Sequence, residues 1–111
     1  MRLVTAVLPP HRVPDVVKAL QSFGVRGLTV SEVQGYDGYT ARTEVYRGAR
    51  YRVDVTPLLR LDVLTLDFDA ADLVRVIRSA GARGTGGGVV WTVPVDNVVR
   101  IRTRESGPDA V

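Results

Sequence analysis

Two apolar stripes of helical period, each closed by a glycine, constrain this chain more than any other feature. From Val13 to Phe23 the apolar positions Val13, Val16, Val17, Leu20 and Phe23 recur every three or four residues, with Asp15, Lys18 and Gln21 on other faces. Pro14 suits a first helical turn and Gly24 a stop. A second stripe, Leu73, Val74, Ile77 and Ala80, predicts a helix over Ala70 to Ala80 that Gly81 ends. Its charges agree, with Asp72 toward the positive end and Arg75 and Arg78 toward the negative one.

Each stripe has apolar runs on both sides. Leu3 to Leu8 is a buried strand stopped by Pro9 and Pro10, and Arg26 to Val33 returns to an alternating pattern after the first helix. Leu59 to Phe68 reads as the strand before the second helix, and Val89 to Val93 as the strand after it. Asp62, Asp67 and Asp69 read as turn chemistry at a strand exit rather than as a metal or hydrolytic site. After a turn at Pro94 to Asn97, Val99 and Ile101 alternate with Arg100 and Arg102, which predicts a short strand over Val98 to Thr103 and a frayed tail from Arg104 to Val111. Two strand-helix-strand units with antiparallel pairing between their middle strands give an α+β, ferredoxin-like double βαβ sandwich, with both helices on one sheet face. The other face needs a cover, and in a chain of 111 residues a second copy is the economical one.

The run from Gln34 to Asp54 stands apart. It carries Tyr36, Tyr39, Tyr46 and Tyr51, and no sustained apolar period until Tyr51, Val53 and Val55 restore a period of two up to Pro57. A connection of this length is either an unrecognised hairpin or a working loop.

Composition excludes several classes. With no cysteine and one histidine, disulfide scaffolding and a His/Cys zinc site are ruled out as organising principles, and His11, after a diproline, reads as a turn residue rather than a general base. The apolar start ends at Pro9, too short for a signal peptide or a membrane span, which points to the cytoplasm and to no direct membrane insertion. Fifteen basic and 12 acidic side chains leave a net charge of +3 and favour an anionic ligand. Gly84 to Gly88 holds four glycines in five residues, as a phosphate-cradling loop or a plain turn would, and Arg100 with Arg102 suit polyphosphate or an exposed edge. Gly27, Thr29, Gly35 and Gly38 add donors. The tyrosines interleave with Arg42, Arg47, Arg50 and Arg52, which keeps an RNA- or polyanion-binding module as the alternative function.

The segment Thr43-Glu44-Val45-Tyr46-Arg47-Gly48-Ala49, followed by Tyr51, resembles the T-loop signature of the PII signal-transduction family. Pro9, Gly24-Val25, Gly27-Leu28-Thr29-Val30, Glu32-Val33 and the ending Val99-Arg100-Ile101-Arg102-Thr103 are similar to that family as well, so the resemblance spans the single domain 1–111. It implies a non-catalytic homotrimer that binds ATP or ADP between subunits and addresses a membrane transporter or a regulatory enzyme through a T-loop at 36–54. The implied nucleotide-site positions are Gly27, Leu28, Thr29, Gly35 and Tyr36, the glycines Gly86, Gly87 and Gly88 of a B-loop at 83–88, and Arg100 and Arg102 reaching phosphates across the interface. Tyr39, Arg42, Glu44, Tyr46, Arg47 and Tyr51 fall on the partner-binding loop, and Tyr51 where some members are uridylylated or adenylylated.

Two departures qualify the implication. Members that sense 2-oxoglutarate carry a glutamine where this chain has Tyr39 and a lysine where it has Leu58. Without that charge partner, sensing of the acid with Mg-ATP is not expected. The B-loop lysine aligns with Val89 or Val90, so Arg83 is the substitute for reaching phosphates, or else the site takes ADP or AMP, which need less neutralisation.

Overall fold

A computed structural model describes residues 1–36, 42–46, 49–53, 55–82 and 87–111. Four strands form one antiparallel sheet in the order β2-β5-β1-β6: β1 (Arg2–Leu8), β2 (Thr29–Tyr36), β5 (Val55–Thr65) and β6 (Val89–Pro94). Helices α1 (Val13–Phe23) and α2 (Asp67–Gly81) pack on one face. This is the expected ferredoxin-like arrangement, including the antiparallel pairing of the two middle strands, β2 with β5.

Strand parity sorts the side chains. Val4, Ala6 and Leu8 of β1 stand beside Val63, Leu61 and Leu59 of β5, and together with Val16, Leu20, Leu73 and Ile77 they make the core. The intervening residues occupy the helix-free face in cross-strand rows: Leu64–Leu3–Val93, Asp62–Thr5–Trp91 and Arg60–Val7–Val89. Leu64, Val89, Trp91 and Val93 are exposed there, leaving an apolar sheet face without a cover in the protomer.

The first helix runs from Val13 to Phe23, as its stripe predicts, because Gly24 adopts φ 117° and donates its N–H to the carbonyls of Leu20 and Gln21. The limits of β2, β5 and α2 are corrected, β2 running over Thr29–Tyr36 instead of Arg26 to Val33. β5 begins at Val55 and ends at Thr65, so Asp67, Phe68 and Asp69 belong to the first turn of α2, where carboxylates favour the helix's positive end. Asp62 is no turn residue either; it lies inside β5. Pro57 is tolerated in this strand because β1 ends opposite Leu59, leaving Pro57 with a neighbour only on the β2 side.

Val98 to Thr103 is not a strand. Val99 and Ser106 form an isolated antiparallel bridge around a turn at 101–103, and residues Gly107–Ala110 close a 3-10 turn that buries Ala110. The alternation of Val99 and Ile101 with the arginines joins no sheet strand, and the tail from Arg104 folds back onto this segment through the bond from Gly107 to Val98. The run from Gln34 to Asp54 includes a hairpin, β3 (Arg42–Tyr46) paired with β4 (Ala49–Val53), a two-stranded sheet separate from the main one. Of the two sequence readings of that run, a hairpin is therefore part of the answer.

Candidate functional site

The larger cavity, about 700 Å³, opens where α1 hands the chain to β2. Gly24 turns the chain and Val25 donates its N–H to Leu20, which sends residues 26–28 across the end of the sheet as irregular backbone. Gly27, Leu28 and Thr29 line it together with Asp62 to Leu66, Arg100 and the tail residues Ala110 and Val111.

Asp62 accepts three side-chain hydrogen bonds within it. The Thr5 hydroxyl, fully buried, donates to Asp62 Oδ1 at 2.6 Å, and Arg60 donates Nε to Oδ2 at 3.0 Å and Nη2 to Oδ1 at 3.3 Å. Desolvation pushes the Asp62 carboxyl upward, but the hydrogen bonds from Arg60 and Thr5 and the guanidinium charge outweigh it and hold the group below the ordinary carboxylate range. Arg60 also lies over the Trp91 ring, 5.9 Å from its centroid. A fixed carboxylate repels phosphate and accepts from hydroxyl or amino groups; Arg100 does the opposite. The cavity thus has both an acceptor and a cation in its lining, the chemistry of a ligand with hydroxyl donors and an anionic group.

A second cavity of about 200 Å³ lies under the glycine segment, lined by Leu8, Ile77, Arg78, Gly81, Ala82, Gly87, Gly88, Val89 and Val90. Gly88 has φ 155°, and a Cβ there would lie 2.6 Å from the Val7 carbonyl oxygen. Only glycine lets β6 start this close to β1.

The predicted site residues therefore fall into separate groups. Gly27, Leu28, Thr29 and Arg100 share the larger cavity. Gly35 and Tyr36 are at the far end of β2, and Gly87 and Gly88 precede β6 on the opposite sheet edge. Three strand spacings, roughly 14 Å, separate those edges. Arg102 lies in the turn at 101–103. Arg83, Gly86, Tyr39 and Arg47 lie outside the described residues, as does Gly38; Arg42, Glu44, Tyr46 and Tyr51 are described only as backbone of β3 and β4. Sequence reasoning missed Asp62, Arg60 and Thr5. The available signal was the spacing of Arg60 and Asp62, two residues apart on one strand and so on one face.

Among the described residues no group of three metal-ligating side chains gathers, and no helix is long and apolar enough to cross a membrane. The family model described as Nitrogen regulatory protein P-II matches residues 1–105. Similar proteins include a Nitrogen regulatory protein P-II of Rhizobium meliloti, 38% identical, and one of Cereibacter sphaeroides, 39% identical. The Nitrogen regulatory protein GlnK of Escherichia coli is 36% identical. All three alignments cover the whole of both chains.

Proposed function

The chain belongs to the nitrogen regulatory protein P-II family, a family of regulators rather than enzymes, and from that premise we propose that it binds an adenine nucleotide between copies of itself and reports occupancy through the 36–54 excursion. The observation that carries this reading is the division of the site. Gly27 to Thr29 and Gly35 lie on the β2 edge and Gly87 and Gly88 on the β6 edge of the same sheet, so one protomer does not bring them together. A ring of copies, each presenting its β2 edge to the β6 edge of the next, does so, and the apolar face carrying Leu3, Leu64, Trp91 and Val93 is covered in the same step. Three copies, the family's arrangement, close that ring.

In this assembly Asp62 accepts from the ligand's hydroxyl groups, the glycine backbone receives phosphates, and Arg100 and Arg102 neutralise them. ATP and ADP are the proposed ligands, with AMP as a further one, and the titrations below, with and without magnesium, decide the part of the metal. Leu58 is buried in β5 opposite Val33 and offers no charge to the second carboxylate of 2-oxoglutarate, so in this reading the excursion reports on nucleotide and not on that acid. The partner is a transporter or a regulatory enzyme met in the cytoplasm through the loop that bears Tyr46 and Tyr51. Nucleic acid is not a partner in this reading.

Calorimetric titration with ATP, ADP, AMP and cyclic AMP, with and without magnesium and 2-oxoglutarate, tests it. Micromolar binding that Arg100→Ala with Arg102→Ala abolishes, and that 2-oxoglutarate leaves unchanged, is expected. Failure to bind any of the four nucleotides would sink the proposal.

A further inference from the structure

The turn at 101–103 leads into a residue held at a conformational cost. Arg104 adopts φ 65°, and it is the one non-glycine residue with positive φ among the described residues. This region brings a Cβ against the backbone, which is why glycine is the usual occupant of such a position. The surrounding geometry leaves Arg104 no escape. Its N–H donates to the Arg100 carbonyl and the Arg100 N–H donates to Glu105, both at 2.8 Å, while Gly107 donates to Val98 at 2.8 Å and Val99 bridges Ser106. A side chain retained under this constraint points to a use for the side chain.

Its neighbours indicate the use. Arg100, Arg102 and Arg104 put three guanidinium groups into five residues, and none of them pairs with a carboxylate among the described residues, although Glu105 is adjacent. Arg100 lines the larger cavity, and the bond from Arg104 to its carbonyl fixes the two backbones side by side. Ile101, between the first two arginines, is 96% exposed. Three unpaired cations gathered at one hairpin tip suit an anion with several acceptor oxygens.

We infer that Arg104 is a third phosphate-binding side chain, acting with Arg100 and Arg102 on the distal phosphates of the nucleotide and shifting preference toward the triphosphate. The inference rests on the nucleotide reading above. Each added phosphoryl group brings charge that a third guanidinium is placed to neutralise, so its contribution grows from AMP to ATP.

Arg104→Gly separates the two properties of the residue, because it relieves the backbone while removing the cation; Arg104→Lys keeps a charge without the fork. With Arg104→Gly the unliganded protein melts no lower than the parent, ATP binding weakens about tenfold, the scale of one lost charge-assisted hydrogen bond, ADP binding weakens less and AMP binding hardly changes. Arg104→Lys falls between. Unchanged ATP affinity in Arg104→Gly overturns the inference, and so does an equal loss for ATP and AMP, which would mark a structural role. If the parent itself binds no nucleotide, the underlying reading fails; if the parent binds and Arg104→Gly matches it, only the role of Arg104 fails.

Discussion

Replacing Gly88 by alanine tests how tightly the start of β6 is fitted against β1. Two costs combine. At φ 155° an alanine occupies backbone space that side chains avoid, roughly 1–3 kcal/mol. Its Cβ would also lie 2.6 Å from the Val7 carbonyl oxygen and 2.9 Å from a Leu8 methyl carbon; the methyl can rotate away, but the carbonyl belongs to the β1 backbone. Relief requires moving the Val7–Val89 end of the β1–β6 ladder, an overpacking strain of about 1–3 kcal/mol. Taking about 3 kcal/mol in all, and about 4 °C per kcal/mol for a domain of this size, Gly88→Ala is expected to melt about 12 °C below the parent. Gly24→Ala is the control. Its φ of 117° carries the conformational cost, but a Cβ there meets nothing within 4 Å, so about 1 kcal/mol and about 4 °C are expected. Thermal unfolding by circular dichroism, at one fixed protein concentration because assembly adds to apparent stability, reads both. Equal losses in the two variants, or a Gly88→Ala melt within about 2 °C of the parent, would refute the contact argument.

Two further outcomes follow from the open face. Thr5→Val keeps the buried shape but removes the donor to Asp62, so stability falls by about 1 kcal/mol and the Asp62 carboxyl titrates at higher pH than in the parent. Because the folded carboxyl is depressed, its stabilisation is complete above the unfolded value of about 3.9 and is lost as pH falls through the lower folded value; Thr5→Val narrows that window, and a carbonyl NMR titration showing Asp62 unmoved would contradict the assignment. Trp91, the single tryptophan, sits on the uncovered face, so its emission is expected to move to the red as the assembly dissociates on dilution in mild urea. Sedimentation in parallel decides: loss of mass with no change in emission would place the interface elsewhere.

How much of this was readable in the residues depends on whether a segment's partner was local. The α1 stripe and Gly24 act within one turn of each other, so the helix limits were legible to the residue. The start of α2 was not, because Asp67 and Asp69 suit a turn as well as a helix's first turn, and only the sheet's end at Thr65 decides between them. Val98 to Thr103 misled for a related reason. Period two marks a strand only if the segment joins a ladder, and this one turns at 101–103 and bonds to itself, Val99 to Ser106, instead of adding to a sheet edge. Of the residues expected at a nucleotide site, Gly27 to Thr29 and Arg100 do share a cavity. Asp62 was hidden by its resemblance to an ordinary strand-exit acid, and the separation of the expected residues between opposite sheet edges is a property of strand order, which no local pattern encodes.

The paired strands β2 and β5 join the two ends of the molecule that matter. Thr29 and Asp62 face each other at the cavity, and Tyr36 faces Val55 where the excursion departs. The ladder between those rows is about 23 Å long at the rise of an extended strand. Viewed mechanically it is a stiff beam with its gear teeth locked: sliding one strand by a residue would exchange the core face for the open face, so longitudinal slip is barred. Motion imposed at the cavity has only twist and tilt through which to travel, and a ligand lodged at one end would steer the root of the excursion as a wrist steers a hand.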